Sequence, residues 1–229
     1  MQPRTLAILV VILPLLASNS AYLLSAYEGS VPWCMPYIDG CTTISNAGRS
    51  GDTIFLYRIL VFVYGVLLTG FWLYAKHWSD VLVGHATKVA QVIFWLGLIG
   101  SIGLLVYIDY LGATGETHRL LRRIGAALYF TMTPLAQFLM LWHHYKILRK
   151  KPAKFSINAK VLRYQLFIAI VILIIVAISV LLALTGNDTY ERENIVEWNI
   201  SLLVTLYFAG MIFLWKDYRH VSSIGGDKK

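Results

Sequence analysis

The sequence is short of charge, of cysteine and of the common catalytic signatures. Charged residues make up 14% of the 229 positions, against about 25% in an average soluble domain. With apolar residues at 58%, that balance is the one expected of a polytopic membrane protein. Alternating apolar and polar segments of ~10 residues are missing, which excludes a membrane β-barrel. There is no GxSxG elbow and no HExxH helix. The two cysteines, Cys34 and Cys41, form no CxxC pair and have no pair of histidines beside them, so no metal site is expected there. His143 and His144 are adjacent, point to different helix faces and make a poor chelating pair. No metal and no cofactor is implied. No internal repeat argues for an inverted-repeat transporter, and the apolar runs lack the deep charges that a coupling ion needs.

What is present is a set of six long apolar runs, at 5–27, 54–75, 88–110, 121–145, 161–185 and 195–215. Each has about the 20 residues that a helix needs to cross a hydrocarbon core ~30 Å thick. A helix also satisfies its own backbone hydrogen bonds, which lipid cannot do for it. The expected fold is all-α: a polytopic membrane protein, a six-transmembrane-helix bundle, with residues 1–229 as one integral domain. The first run has Arg4 ahead of it and small Ala17 and Ser18 within it, as a cleaved signal would. Its length, continuing through Asn19, Tyr22 and Tyr27, favours a retained span.

The basic residues are sorted by side. With the N-terminus inside, fourteen of the 20 Lys and Arg residues fall on the inner face and six on the outer. Both termini are therefore expected to be cytoplasmic. The +8 net charge belongs to this sorting and to anionic headgroups rather than to nucleic acid. Seven of the basic residues, Lys146, Arg149, Lys150, Lys151, Lys154, Lys160 and Arg163, share one inner segment, and Lys216, Arg219, Lys228 and Lys229 follow the last span. Bacterial inner membrane and eukaryotic plasma membrane or endomembrane fit this pattern equally.

Cys34 and Cys41 both fall in the outer segment 28–53, which reads as a small disulfide-closed extracytoplasmic cap. Closing so short a loop would stabilise it by ~2–3 kcal/mol. Asn187, Asp188 and Thr189 match a glycosylation acceptor on the same side. Pro14 and Pro134 lie inside spans 1 and 4, where proline commonly kinks a helix. Trp72, Tyr74, Trp78 and Trp215 read as aromatic belts. Span 5 is almost purely aliphatic and reads as the lipid-facing edge of the bundle.

Two polar stripes stand out. On span 4, His118, Arg122, Tyr129, Thr133, Gln137 and His144 fall in one sector of the helix. On span 6, Glu197, Ser201 and Thr205 repeat every turn, with Asn194 just before them. Lipid cannot pair such groups, so both stripes are expected to face inward. The topology puts Arg58, Asp109, His118, Arg122 and Glu197 at one depth, with Arg122–Glu197 or Arg58–Asp109 as expected ion pairs. Three uses compete for this layer. One is structural pairing of helix ends. Another is a phospholipid-headgroup site of Arg58, His118, Arg122 and Glu197, since arginine forks suit phosphate. The third is a hydrolytic or acyl-transfer centre with His118 as base and Glu197 or Asp109 orienting it.

Several of these residues also carry a resemblance. Pro36, Tyr37 and Ile38, then Ser45 and Gly48, lead to Ile54 and Phe55 at the start of span 2. His118 leads into span 4, Glu197 and Trp198 open span 6, Tyr207 lies within it and Asp217 follows it. In order and placement these resemble the FRAG/DRAM/Sfk family of six-span membrane proteins, related to GPI-lipid remodelling factors and the Cwh N-terminal domain. Cys34, Cys41 and the Gly51-Asp52 step depart from its animal autophagy-modulator branch. The resemblance implies membrane lipid handling, as in autophagy, phospholipid asymmetry or remodelling of GPI anchors. The expected function is a lipid-interacting protein that organises or remodels lipids of the extracytoplasmic leaflet. An intramembrane lipid hydrolase or acyltransferase and a non-catalytic subunit of a larger membrane complex are the alternatives. Membrane lipids, and in the last case a larger membrane protein, are the expected partners.

Overall fold

The computed structural model describes residues 1–150, 157–187, 189–216 and 218, with the Lys150 side chain excluded. Asp188 of the glycosylation acceptor, basic residues Lys151, Lys154, Arg219, Lys228 and Lys229, and Asp217 lie outside the described residues. The described elements are helices, in the order α1 (Pro3–Tyr27), α2 (Pro36–Asp39), α3 (Ile44–Gly48), α4 (Thr53–Val83), α5 (Lys88–Asp109), α6 (Glu116–Lys150), α7 (Ala159–Leu184) and α8 (Tyr190–Leu214). Six of them are long and apolar enough to cross a membrane, matching the six runs of the sequence. The two short ones, α2 and α3, belong to the segment holding the Cys34–Cys41 disulfide, which is formed.

Three helices, α4, α6 and α8, outrun their apolar runs by a turn or more. The second run stops at Lys76 and His77, yet α4 continues to Val83. Lys76 pairs with Asp80 one turn on, at 2.8 Å, so the charges extend the helix rather than end it. Asp80 then accepts from the Thr87 backbone N–H at 2.8 Å, and Thr87 caps α5 by accepting from Ala90. At its other end, α6 begins at Glu116, ahead of the apolar run. This first turn stands clear of the bundle, and residues 114–120 are exposed.

Helix α5 packs on α4 and α6, and α1 packs on α4 and α8. Where α5 meets α6 the backbones nearly touch, since a Cβ built on Gly125 would lie 2.6 Å from the Gly103 carbonyl oxygen. Small residues at this crossing let dispersion contacts run along both helices. Helix α7 is the edge expected of span 5, with Leu162, Gln165, Ile168, Ala169 and Ile172 as its buried residues. Beyond Ile172 most of its aliphatic side chains are exposed, while Ile175 still packs against the core.

The belt assignment of the tryptophans is corrected. Trp72, Trp78 and Trp215 are fully buried, and Trp72 packs with Phe71 and Phe208 while Phe71 also meets Trp215. Gly97 of α5 makes room for the Trp72 ring, because a Cβ there would meet it at 2.1 Å. Trp72 and Trp78 of α4 and Trp215 at the end of α8 turn towards the core. Tyr74 alone of the group is half-buried.

The segment between α1 and α4 folds back over one end of the bundle as the expected cap. Tyr22 of α1 accepts from the Cys34 N–H at 2.7 Å, and the Ser25 hydroxyl donates to the Ala47 carbonyl at 2.6 Å. From α8, Asn194 donates to the Gly40 carbonyl, the Trp198 indole to that of Thr42 and Asn199 to that of Tyr37, at 2.7, 2.8 and 2.8 Å. Gly40 ends α2 in the left-handed region at φ 62°. A Cβ on it would also lie 2.0 Å from the Glu191 carbonyl oxygen, so backbone angle and close approach both require glycine.

Candidate functional site

Under this cap lies a cavity of about 520 Å³, bounded by α1, α3, α4, α5, α6 and α8. It exists because α6 and α8 make their close contact farther from the cap. There the Gln137 amide donates to the Val204 carbonyl at 2.9 Å and the Tyr207 hydroxyl to the Gln137 carbonyl at 2.7 Å. Towards the cap, Ala126 and Arg122 of α6 and Ser201 and Glu197 of α8 line open space instead.

The polar stripes face inward as expected over most of their length. Tyr129, Thr133, Gln137 and His144 of α6 are buried, as are Asn194 and Thr205 of α8. His144 meets the Ser79 hydroxyl at 3.2 Å. The cavity wall between them is rich in phenols. Tyr57 and Tyr64 of α4, Tyr107 of α5 and Tyr129 of α6 all line it. The Tyr64 and Tyr129 hydroxyls lie 3.0 Å apart, while the Tyr57 hydroxyl interacts with that of Tyr107, which also meets Ser45. Glu197 reaches the same space, and its carboxyl accepts from the backbone N–H groups of Ile44 and Ser45. These are donors that the first turn of α3 leaves without intrahelical partners.

Arginines gather at the cap side of the cavity. Arg122 and Arg123 enter from α6 and Arg49 from the end of the cap. Arg122 is half-buried, with Arg49, Arg123 and Arg119 as its charged neighbours. Among the described residues, the ion pairs within 4.0 Å are Lys76–Asp80 and Arg119–Glu116. The expected Arg122–Glu197 pair is therefore not closed, although both side chains line one cavity.

The other members of the expected layer go elsewhere. Arg58 donates to the main-chain carbonyls of Asp109, at 3.1 Å, and of Leu111. It ties the start of α4 to the end of α5, and the expected Arg58–Asp109 carboxylate pair is replaced by these backbone contacts. Both residues border a second, apolar groove of about 650 Å³ between α4 and α5. The physical reason is azimuth: Tyr57 faces the cavity, so its neighbour Arg58 is turned ~100° away. His118 is exposed, stacks on Tyr110 at 5.4 Å and contacts the Thr114 carbonyl through Nδ1 at 2.6 Å. It shares the Arg122 face, but it lies on the exposed first turn of α6, and its contacts are with the loop ahead of that helix rather than with the cavity. The proposed base His118 thus meets neither Glu197 nor Asp109.

Sequence reasoning missed Tyr57, Tyr64 and Tyr107, which read as ordinary members of apolar runs. Their spacing held a signal, since Tyr57 and Tyr64 lie two turns apart on one face. Arg49 and Arg123 lie outside the expected layer; Arg123 adjoins Arg122 on α6, and the folding of the cap brings Arg49 to them. Comparison with family models, curated proteins and solved structures gave no match for this chain.

Proposed function

We propose that this chain is an integral membrane protein that holds a lipid headgroup from the extracytoplasmic leaflet in the cavity beneath its cap. Six helices of spanning length, the inner-face excess of basic residues and a disulfide at the capped end support a topology with both termini cytoplasmic. The observation that carries the reading is Arg122, half-buried at a cavity with two further arginines beside it and, among the described residues, no carboxylate within ion-pairing distance. A guanidinium so placed has free donors in the planar fork that suits phosphate. The site is narrower than the sequence suggested: Arg122 and Glu197 belong to it, whereas Arg58 and His118 do not line it. Bound this way, a lipid would be organised or presented for remodelling, in keeping with the FRAG/DRAM/Sfk resemblance.

The test is lipid retention. Full-length protein purified in mild detergent is expected to carry phospholipid visible by native mass spectrometry, and Arg122→Gln is expected to lose it while staying folded. Retention unchanged in Arg122→Gln would sink the headgroup reading. The same spectra would reveal a stoichiometric protein partner, which would favour the subunit alternative. The hydrolase or acyltransferase alternative is weakened by the separation of His118 from Glu197, and turnover of labelled lipid by the purified protein would restore it.

A further inference from the structure

We infer that the cavity is built for a zwitterionic headgroup, a phosphate bearing a primary or quaternary ammonium. This rests on the headgroup reading above and names its ligand class. The argument is the separation of charge within one space. The mouth carries Arg49, Arg122 and Arg123, and these are the only basic side chains among the described residues that line the cavity. The polar groups of the remaining wall are acidic or electron-rich: the Glu197 carboxyl, five phenols including Tyr190, and the Ser18, Ser45 and Ser201 hydroxyls, set among apolar side chains.

In each tyrosine pair one hydroxyl donates to the other, as between Tyr64 and Tyr129, and the phenol oxygens keep lone pairs that can turn to a cation. A headgroup with phosphate alone would satisfy the mouth and set no positive group against Glu197. One that carries a second anion would bring like charge to that carboxylate, which is costly in a partly desolvated space. Phosphate at the arginines with ammonium against Glu197, Tyr57 and Tyr107 satisfies both ends. The entrance suits a lipid, because Arg123 and Ala127 line the cavity and are exposed on α6. Acyl chains can therefore stay beside the helix while the headgroup turns in.

Phosphatidylcholine, phosphatidylethanolamine and phosphatidylglycerol with identical chains are compared for binding to the full chain by native mass spectrometry. The choline and ethanolamine lipids are expected to bind about tenfold more tightly than the glycerol lipid, a difference of ~1.4 kcal/mol. Glu197→Gln, whose amide oxygen still accepts from Ile44 and Ser45, is expected to bring the three within about twofold. Arg122→Gln is expected to weaken all three alike. Equal binding of the three by the unaltered protein, or selectivity that survives Glu197→Gln, overturns the inference. The headgroup reading stands in that case as long as Arg122→Gln still weakens binding. If Glu197→Gln does not fold, competition decides with the unaltered protein. Displacement of bound lipid by soluble phosphocholine but not by glycerol 3-phosphate supports the inference, and equal displacement overturns it.

Discussion

The Trp198 indole N–H donates to the main-chain carbonyl of Thr42 at 2.8 Å, joining the start of α8 to the roof of the cavity. Its ring lies edge-on to Tyr37 of the cap at 5.1 Å and to Tyr22 of α1 at 6.1 Å. The preceding residue, Glu197, receives the N–H groups of Ile44 and Ser45. Two adjacent residues thus fasten the cap by opposite chemistry, one donating to it and one accepting from it. Trp198→Phe keeps most of the ring packing and leaves the Thr42 carbonyl unpaired. A loss of about 1–3 kcal/mol is expected, with a lower melting temperature in detergent as the readout. An unchanged melting temperature would show that the cap does not depend on this bond.

The disulfide is a second and independent fastening. Replacing Cys34 and Cys41 by serine is expected to cost the cap ~2–3 kcal/mol. Hydrogen exchange at residues 34–48 should speed up while the helices keep their protection. Because Tyr22, Asn194, Trp198 and Asn199 still hold the cap, lipid retention should weaken without vanishing. Global unfolding of the doubly substituted protein would contradict this.

Gly125 and Gly103 set the distance between α5 and α6. With a Cβ on Gly125 only 2.6 Å from the Gly103 carbonyl oxygen, Gly125→Ala forces the backbones apart. The expected cost is about 1–3 kcal/mol, typical of overpacking. Gly84, where an added Cβ meets nothing within 4 Å, lies at the end of α4 with φ 89°. Gly84→Ala strains the backbone without a clash, so its effect is expected to be smaller. Denaturation of both variants side by side checks the order.

His118 and Arg58 separate the present site from the broader layer read from sequence. His118→Ala removes an exposed side chain and is expected to change stability by less than about 0.5 kcal/mol, with lipid retention unaltered. Arg58→Ala removes the donor to the Asp109 and Leu111 carbonyls and should lower stability while leaving headgroup selectivity intact. Loss of selectivity in either variant, measured on the same three phospholipids, would return that residue to the site.

Much of this architecture was legible in the residues themselves. Run length and hydropathy specify six long helices, because a helix is the one segment that closes its own backbone hydrogen bonds in lipid. The inward faces of α6 and α8 followed from placing Gln137, Thr133, Asn194 and Thr205 where lipid could not pair them. The facing of the charged residues did not. Arg58 and Arg122 line different spaces, and which face of α4 turns inward depends on α1, α5 and the cap packing against it. Aromatic residues were ambiguous for the same reason: Trp72 reads as a belt residue until Gly97 is found beneath it.

By itself, then, the sequence determined the number and type of the long helices, the closure of the cap by Cys34 and Cys41 and the inward stripes. All of these depend on local periodicity, composition and spacing. The tertiary structure decided which charged residues meet. Arg49, Arg122, Arg123 and Glu197 come from three separate elements, and they converge only because α6 and α8 part above Gln137 and the cap folds over the gap. Such a gap is a property of packed surfaces, which no single helix carries in its own pattern.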